Sequence, residues 1–128
     1  DTKNILIVDD EADVRTYLGR LLAEHGFNCK TAGDGEQAMA CVRAEKPGLI
    51  TLDMSMPNKS GVRFYSELKN DPDLASIPVI VVTGITGQGG PGDAEKFLST
   101  RSQFPPPEAF IAKPVDPEEL TAAIRKLL

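Results

Sequence analysis

Leu49-Ile50-Thr51-Leu52-Asp53-Met54-Ser55-Met56-Pro57 is the stretch on which the fold turns. An apolar run that stops at an acid and passes at once into Met-Pro reads as a buried strand, delivering a carboxylate to its C-terminal end where a turn begins. In open parallel sheets that end carries the chemistry. Taken alone, Asp53 reads equally well as an ordinary turn cap, a common use of Asp, so its neighbours must decide.

On the N-terminal side the same pattern occurs twice more. Asn4-Ile5-Leu6-Ile7-Val8 is apolar without alternation, as in a central parallel strand covered on both faces, and it ends in Asp9-Asp10-Glu11. From Ala12, the residues Val14, Leu18, Leu21 and Leu22 recur at helical spacing up to His25-Gly26. There a cationic side chain suits the helix dipole and Gly suits the left-handed cap. Asn28 to Ala32 is a weaker strand, and Asp34 caps a helix that turns Ala38, Cys41 and Val42 inward before Lys46-Pro47-Gly48 ends it.

On the C-terminal side, Ser60 is placed to cap a third helix with Val62, Tyr65 and Leu68 toward the sheet. Asp71-Pro72 and Ile77-Pro78 frame a connection into the strand Val79-Ile80-Val81-Val82-Thr83. Gly84 to Asp93 is too rich in Gly for regular structure, and it lacks the Gly-Lys-Ser/Thr ending of a phosphate-binding P-loop. A short fourth helix is expected from about Asp93 to Thr100, and Pro105-Pro106-Pro107 then breaks the chain before a last strand, Ala109 to Ala112. Lys113-Pro114 follows, an X-Pro bond placed in a tight turn where the cis form is expected. Asp116-Pro117-Glu118-Glu119 supplies a cap, a Pro at the first helical position and an acidic first turn for the final helix, whose apolar stripe is Leu120, Ile124, Leu127 and Leu128. Five strands alternating with five helices predict a doubly wound α/β fold, a five-stranded parallel sheet with helices on both faces, formed as one domain over residues 1–128.

The bulk properties narrow the function. A net charge of −5 with no clustered Lys and Arg argues against direct nucleic-acid binding, and no apolar run approaches membrane-spanning length. The N-terminus shows no signal-peptide pattern, so a cytoplasmic location is expected; the missing initiator Met is expected of a chain cut from a longer one. Cys29 and Cys41 are too few and too irregular for a disulfide framework or a zinc site and read as small buried hydrophobes.

The fold would bring Asp9 and Asp10 from the first strand to the same edge as Asp53. Three carboxylates together repel, and an all-oxygen group of this kind suits Mg²⁺ with several waters retained. Lys113 brings an ammonium and Thr83 a hydroxyl, both partners for an anion. Acids, a cation, a hydroxyl and a lysine converging on one carboxylate suit phosphoryl transfer, with Asp53 as the nucleophile.

These residues resemble the receiver domain of two-component response regulators, from Lys3 to Leu128. The resemblance rests on Asp9-Asp10, on Asp53 followed by Met56-Pro57 and Gly61, on Thr83, and on Lys113-Pro114. It implies the flavodoxin-like strand order 2-1-3-4-5 found in the family's chemotaxis member. It also implies that Asp53 accepts a phosphoryl group from the phosphohistidine of a sensor histidine kinase or a phosphotransfer protein. Mg²⁺ would be held by Asp10, Asp53 and the backbone carbonyl of Ser55, with Asp9 acting through a bound water. Thr83 and Lys113 would hold the phosphoryl oxygens. Thr83 and Phe110 would form the switch, which lacks a hydroxyl at Phe110 and so would work by burial. Such a domain assists its own phosphorylation and dephosphorylation without being a turnover enzyme, and it signals to an output domain or downstream protein near the fourth helix, fifth strand and final helix.

The chain departs from the family between Gly84 and Pro107, where the segment is longer and the turn before the last strand is replaced by three prolines. The family's usual homodimer is therefore left open. A receiver-like interaction module that is never phosphorylated is the alternative that this departure supports. A phosphatase with an aspartyl-phosphate intermediate would need its nucleophile after the first strand with a second acid two residues on. Three acids would repel the phosphate of a flavin.

Overall fold

The computed structural model describes residues 4–53, 60–83 and 107–128. Five strands, β1 (Asn4–Val8), β2 (Asn28–Ala32), β3 (Leu49–Asp53), β4 (Val79–Thr83) and β5 (Ala109–Ala112), form one parallel sheet in the order β2-β1-β3-β4-β5. Every strand has the bounds expected from its apolar run. Among the described residues there are four helices: α1 (Ala12–Glu24), α2 (Gly35–Ala44), α3 (Ser60–Asn70) and α4 (Pro117–Leu127). The helix expected from Asp93 to Thr100 lies outside the described residues. So does the Gly-rich stretch before it.

The continuous apolar runs follow from the layering, because successive side chains of a strand point to opposite faces and here both faces are covered. Ile5, Ile7, Leu49, Ile80, Val82 and Ile111 pack with Leu18 and Leu22 of α1 and with Leu120 and Ile124 of α4. Their alternates Leu6, Val8, Ile50, Leu52, Val79 and Val81 pack with Ala38, Met39 and Val42 of α2 and with Phe64, Tyr65 and Leu68 of α3. Strand β2 sits at the edge and is mostly exposed, in keeping with its weaker apolar character.

The local signals account for most helix ends. Asp34 accepts a hydrogen bond from the Gln37 amide and Asp116 from the Glu118 amide, each satisfying a donor that the first turn leaves without a helical partner. His25 closes α1 with Nδ1 2.8 Å from the Leu21 carbonyl, and Gly26 takes a φ of 89°, which a side chain would strain. Three details differ from expectation. Ser60 is itself the first helical residue of α3. Phe64 is fully buried beside Tyr65, whereas Val62 is only half-buried. Leu128 is exposed, since α4 ends at Leu127 and its stripe stops there.

The strand registers position the chemistry. Val8 pairs with Leu52, so Asp9 leaves β1 beside the point where Asp53 ends β3. Asp53 pairs with Val82, and Thr83 with Ala112. The ends of β1, β3, β4 and β5 therefore lie abreast along one edge.

Candidate functional site

Asp9 and Asp53 are buried, 2% and 1% exposed respectively, while Asp10 is exposed at the rim. One carboxylate oxygen from each lies within 4.8 Å of the others. Lys113 follows β5, two strands from Asp53 and so about 10 Å away at the backbone. Its side chain crosses the end of β4 and places Nζ 3.0 Å from Asp9 Oδ2, 3.5 Å from Asp53 Oδ2 and 3.9 Å from Glu11 Oε1. The bond to Asp9 is a donated hydrogen bond. The Lys113-Pro114 peptide is cis, as expected of this turn.

Asp9 is held on both oxygens, because Oδ1 accepts the Glu11 amide at 2.9 Å while Oδ2 accepts Lys113. Its own amide donates to the Ala32 carbonyl at 3.1 Å, and its carbonyl accepts Nη1 of Arg15 at 2.7 Å. The acidic loop is thus tied to β2, to α1 and to the end of β5.

The charge balance is uneven. Burial raises the Asp9 pKa and the Asp53 carboxylate raises it further, outweighing the Glu11 amide and Lys113. Asp10 is also raised, first by lost hydration and then by the Asp53 charge. Burial works to lower the Lys113 pKa, but the hydrogen bond to Asp9 and the charges of Asp53, Asp9 and Glu11 hold it above the ordinary lysine value. Three clustered carboxylates face the one ammonium of Lys113, so negative charge is in excess at the cluster. An all-oxygen donor set with that excess fits a hard divalent cation.

Asp9, Asp10, Asp53 and Lys113 converge. Thr83 ends β4 at the same edge, paired with Ala112, and its side chain is not among those described. Ser55, with Met56-Pro57, lies outside the described residues. Phe110 is half-buried on β5, paired with Val81 and packed against the α2–α3 layer. Two residues were not singled out as site groups. Glu11 was in view as part of the acidic triplet. Arg15 was signalled only by its place in the first turn of α1, where side chains lean back toward the helix N-terminus and so toward the loop.

Cys29 and Cys41 are free, half-buried thiols, and burial pushes the Cys29 pKa up, consistent with packing rather than reactivity. Among the described residues no helix is long and apolar enough to cross a membrane.

Known proteins agree with this geometry. The family model for the response regulator receiver domain matches residues 5–125. The chain is 36% identical over 126 residues to the probable transcriptional regulator ycf27 of Cyanophora paradoxa, covering 98% of this chain and 48% of that protein. It is 34% identical over 126 residues to the phosphate regulon transcriptional regulatory protein PhoB of Pseudomonas aeruginosa, covering 98% of this chain and 52% of that protein. The chain thus spans about half the length of these curated relatives. Among solved structures, the signal receiver domain of a signal transduction histidine kinase from Syntrophus aciditrophicus is similar with a TM-score of 0.81 at 31% identity, covering 98% of this chain and 89% of that one. A five-stranded sheet in the order 2-1-3-4-5, an acidic cluster closed by a lysine at its C-terminal edge, and a family match over nearly the whole chain lead to one conclusion: the chain belongs to the response regulator receiver domains, the phosphoacceptor switches of two-component signalling.

Proposed function

We propose that Asp53 is the phosphoacceptor and that residues 1–128 act as one receiver domain in the cytoplasm. The observation that carries this reading is the position of the Lys113 ammonium, 3.5 Å from a carboxylate that is buried yet lies at the open end of its strand. In the transfer, an Asp53 oxygen forms a bond to phosphorus as the P–N bond to a donor's phosphohistidine breaks, the electron pair returning to the imidazole. Lys113 is already drawn in by carboxylates and would exchange part of that contact for an oxygen of the phosphoryl group. Thr83, at the end of the adjoining strand, would hold another.

Mg²⁺ would be held by Asp10, Asp53 and the Ser55 carbonyl, with Asp9 acting through water. When bound, it would neutralise charge on the transferring group. The convergence of three carboxylates within 4.8 Å of one another against a single ammonium supports that assignment, since it leaves negative charge that a divalent cation would balance. The donor would be a sensor histidine kinase or a phosphotransfer protein. The signal would leave through the surface near the fourth expected helix, β5 and α4, toward an output domain or a downstream protein, with Thr83 and Phe110 as the moving pair. The half-buried state of Phe110 supports this role, since added charge at Asp53 that draws Thr83 inward would change the space beside β5.

Incubation with a small phosphodonor and Mg²⁺ should add one phosphoryl group by intact mass, and Asp53→Ala should add none. Equal labelling of the variant would overturn the assignment. Absent labelling of the wild type, together with retained partner binding, would favour the interaction-module alternative.

A further inference from the structure

We infer that Arg15 is a positioning residue for Asp10 and, through it, for the cation site; this rests on the Mg²⁺ reading above. Its guanidinium donates from Nη1 to the Asp9 carbonyl at 2.7 Å, and its backbone amide donates to the Glu11 carbonyl at 3.1 Å. Asp10 lies between those two carbonyls. The Asp9 carbonyl shares a rigid plane with the Asp10 amide and Cα, so fixing that oxygen fixes the peptide that delivers Asp10. The peptide after Asp10 is held separately, by the Glu11 amide on Asp9 Oδ1 at 2.9 Å, and the Arg15 amide bond to the Glu11 carbonyl is a helical backbone bond independent of the side chain. The guanidinium thus supplies the side-chain hold on the peptide that precedes Asp10, an acid exposed at the rim.

The loop after β2 reinforces this grip. A Cβ built on Gly33 would stand 3.2 Å from Arg15 Nη1 and 3.6 Å from its Cζ, so the guanidinium lies close against bare backbone there. A Cβ at position 33 would require the guanidinium to give by a few tenths of an ångström, loosening its bond to the Asp9 carbonyl. The chain meets the requirement with Gly at 33 and Arg, whose planar fork is pre-organised for its acceptors, at 15.

The sign of the effect separates positioning from simple charge. Arg15 is a cation beside an acidic cluster, so by Coulomb's law alone its removal leaves the site more negative and strengthens cation binding. Positioning predicts the opposite.

Mg²⁺ affinity of the whole chain would be measured by calorimetry for wild type, Arg15→Met, Arg15→Lys, Gly33→Ala and Asp10→Asn, with urea denaturation in parallel. Arg15→Met is expected to bind Mg²⁺ about tenfold more weakly, the scale of losing a group that orients a metal ligand. Arg15→Lys, which keeps one donor for the same carbonyl, should lose less, and Gly33→Ala should weaken binding in the same direction. Labelling of Arg15→Met should return toward the wild-type rate at saturating Mg²⁺. Unchanged or tighter Mg²⁺ binding in Arg15→Met, alongside loss of binding in Asp10→Asn, would overturn the inference while leaving the metal site standing. Absence of Mg²⁺ binding in the wild type would overturn the metal reading and the inference with it.

Discussion

Replacing Lys113 by Met keeps most of the side-chain stem and removes the ammonium that stands 3.0 Å from Asp9 and 3.5 Å from Asp53. At an effective dielectric constant of about 20, each of those separations corresponds to about 5 kcal/mol of attraction. Part of that is offset by the hydration the ammonium gives up in the fold, and part by proton uptake at Asp9 once its partner is gone. The remaining loss should be about 3 kcal/mol near pH 7.5, the lower end for removing one partner of a buried ion pair, because Lys113 keeps 19% of its side chain exposed. The pH dependence identifies the cause. Lys113 has a raised pKa, so its contribution is present below the ordinary lysine value and lost only as pH rises through the raised one; it does not titrate between pH 5 and 7.5. Asp9 also has a raised pKa, so the stability tied to its protonated form is present below the ordinary carboxylate value and lost as pH rises through the raised one. Without Lys113 that pKa rises further, and the deficit of the variant must shrink on going from pH 7.5 toward pH 5. The assay is urea denaturation in the absence of Mg²⁺, followed by far-UV circular dichroism because the chain has no Trp. A deficit under about 1 kcal/mol near pH 7.5, or one that stays constant or grows toward pH 5, would refute the reasoning.

Asp10→Asn should stabilise the metal-free protein by about 0.5 kcal/mol near pH 7.5, a small value because Asp10 is exposed and its repulsion from Asp53 is screened. The gain should fade as pH falls through the raised Asp10 value, which urea titrations at two pH values would detect. The same variant should lose the stabilisation that Mg²⁺ gives the wild type, about 1.4 kcal/mol at ten times the dissociation constant. Asp34→Ala removes the cap that receives the Gln37 amide and should cost about 1 kcal/mol, read as a lower urea midpoint.

Strands β1, β3 and β4 were legible because parallel strands covered on both faces need no alternation, so a β-branched run bounded by acids, Gly or Pro marks each one. Helix ends were legible where a side chain makes the cap, as at Asp34 and Asp116, and less so at Ser60, where hydroxyl chemistry suits the cap and the first turn alike. Phe64 and Val62 were exchanged because α3 buries two adjacent residues, Phe64 and Tyr65, and a single stripe at helical spacing underestimates so broad a face. The strand order was not contained in periodicity at all; it came with the family resemblance, and only the pairing of Val8 with Leu52 shows why Asp9 meets Asp53. Arg15 was hidden for another reason. Its acceptors are backbone carbonyls, which every residue carries, so no residue type in the loop announces the partner.

That same loop shows how the site draws on the fold. The two apolar layers hold β1 and β3 in register, and the register forces Asp9 and Asp53 together whatever their charges prefer. Burial first, and the Asp53 charge after it, raise the pKa of Asp9, and Lys113 offsets only part of that cost. A cation or a phosphoryl group arriving here therefore meets strain already supplied by packing elsewhere. On the function proposed above, a redistribution of Lys113 among Asp9, Asp53 and Glu11 would be passed to β5, where Phe110 lies three residues before it. Coupling of this kind would need no movement of the sheet, only a lysine whose partners change and a half-buried aromatic on the same short strand.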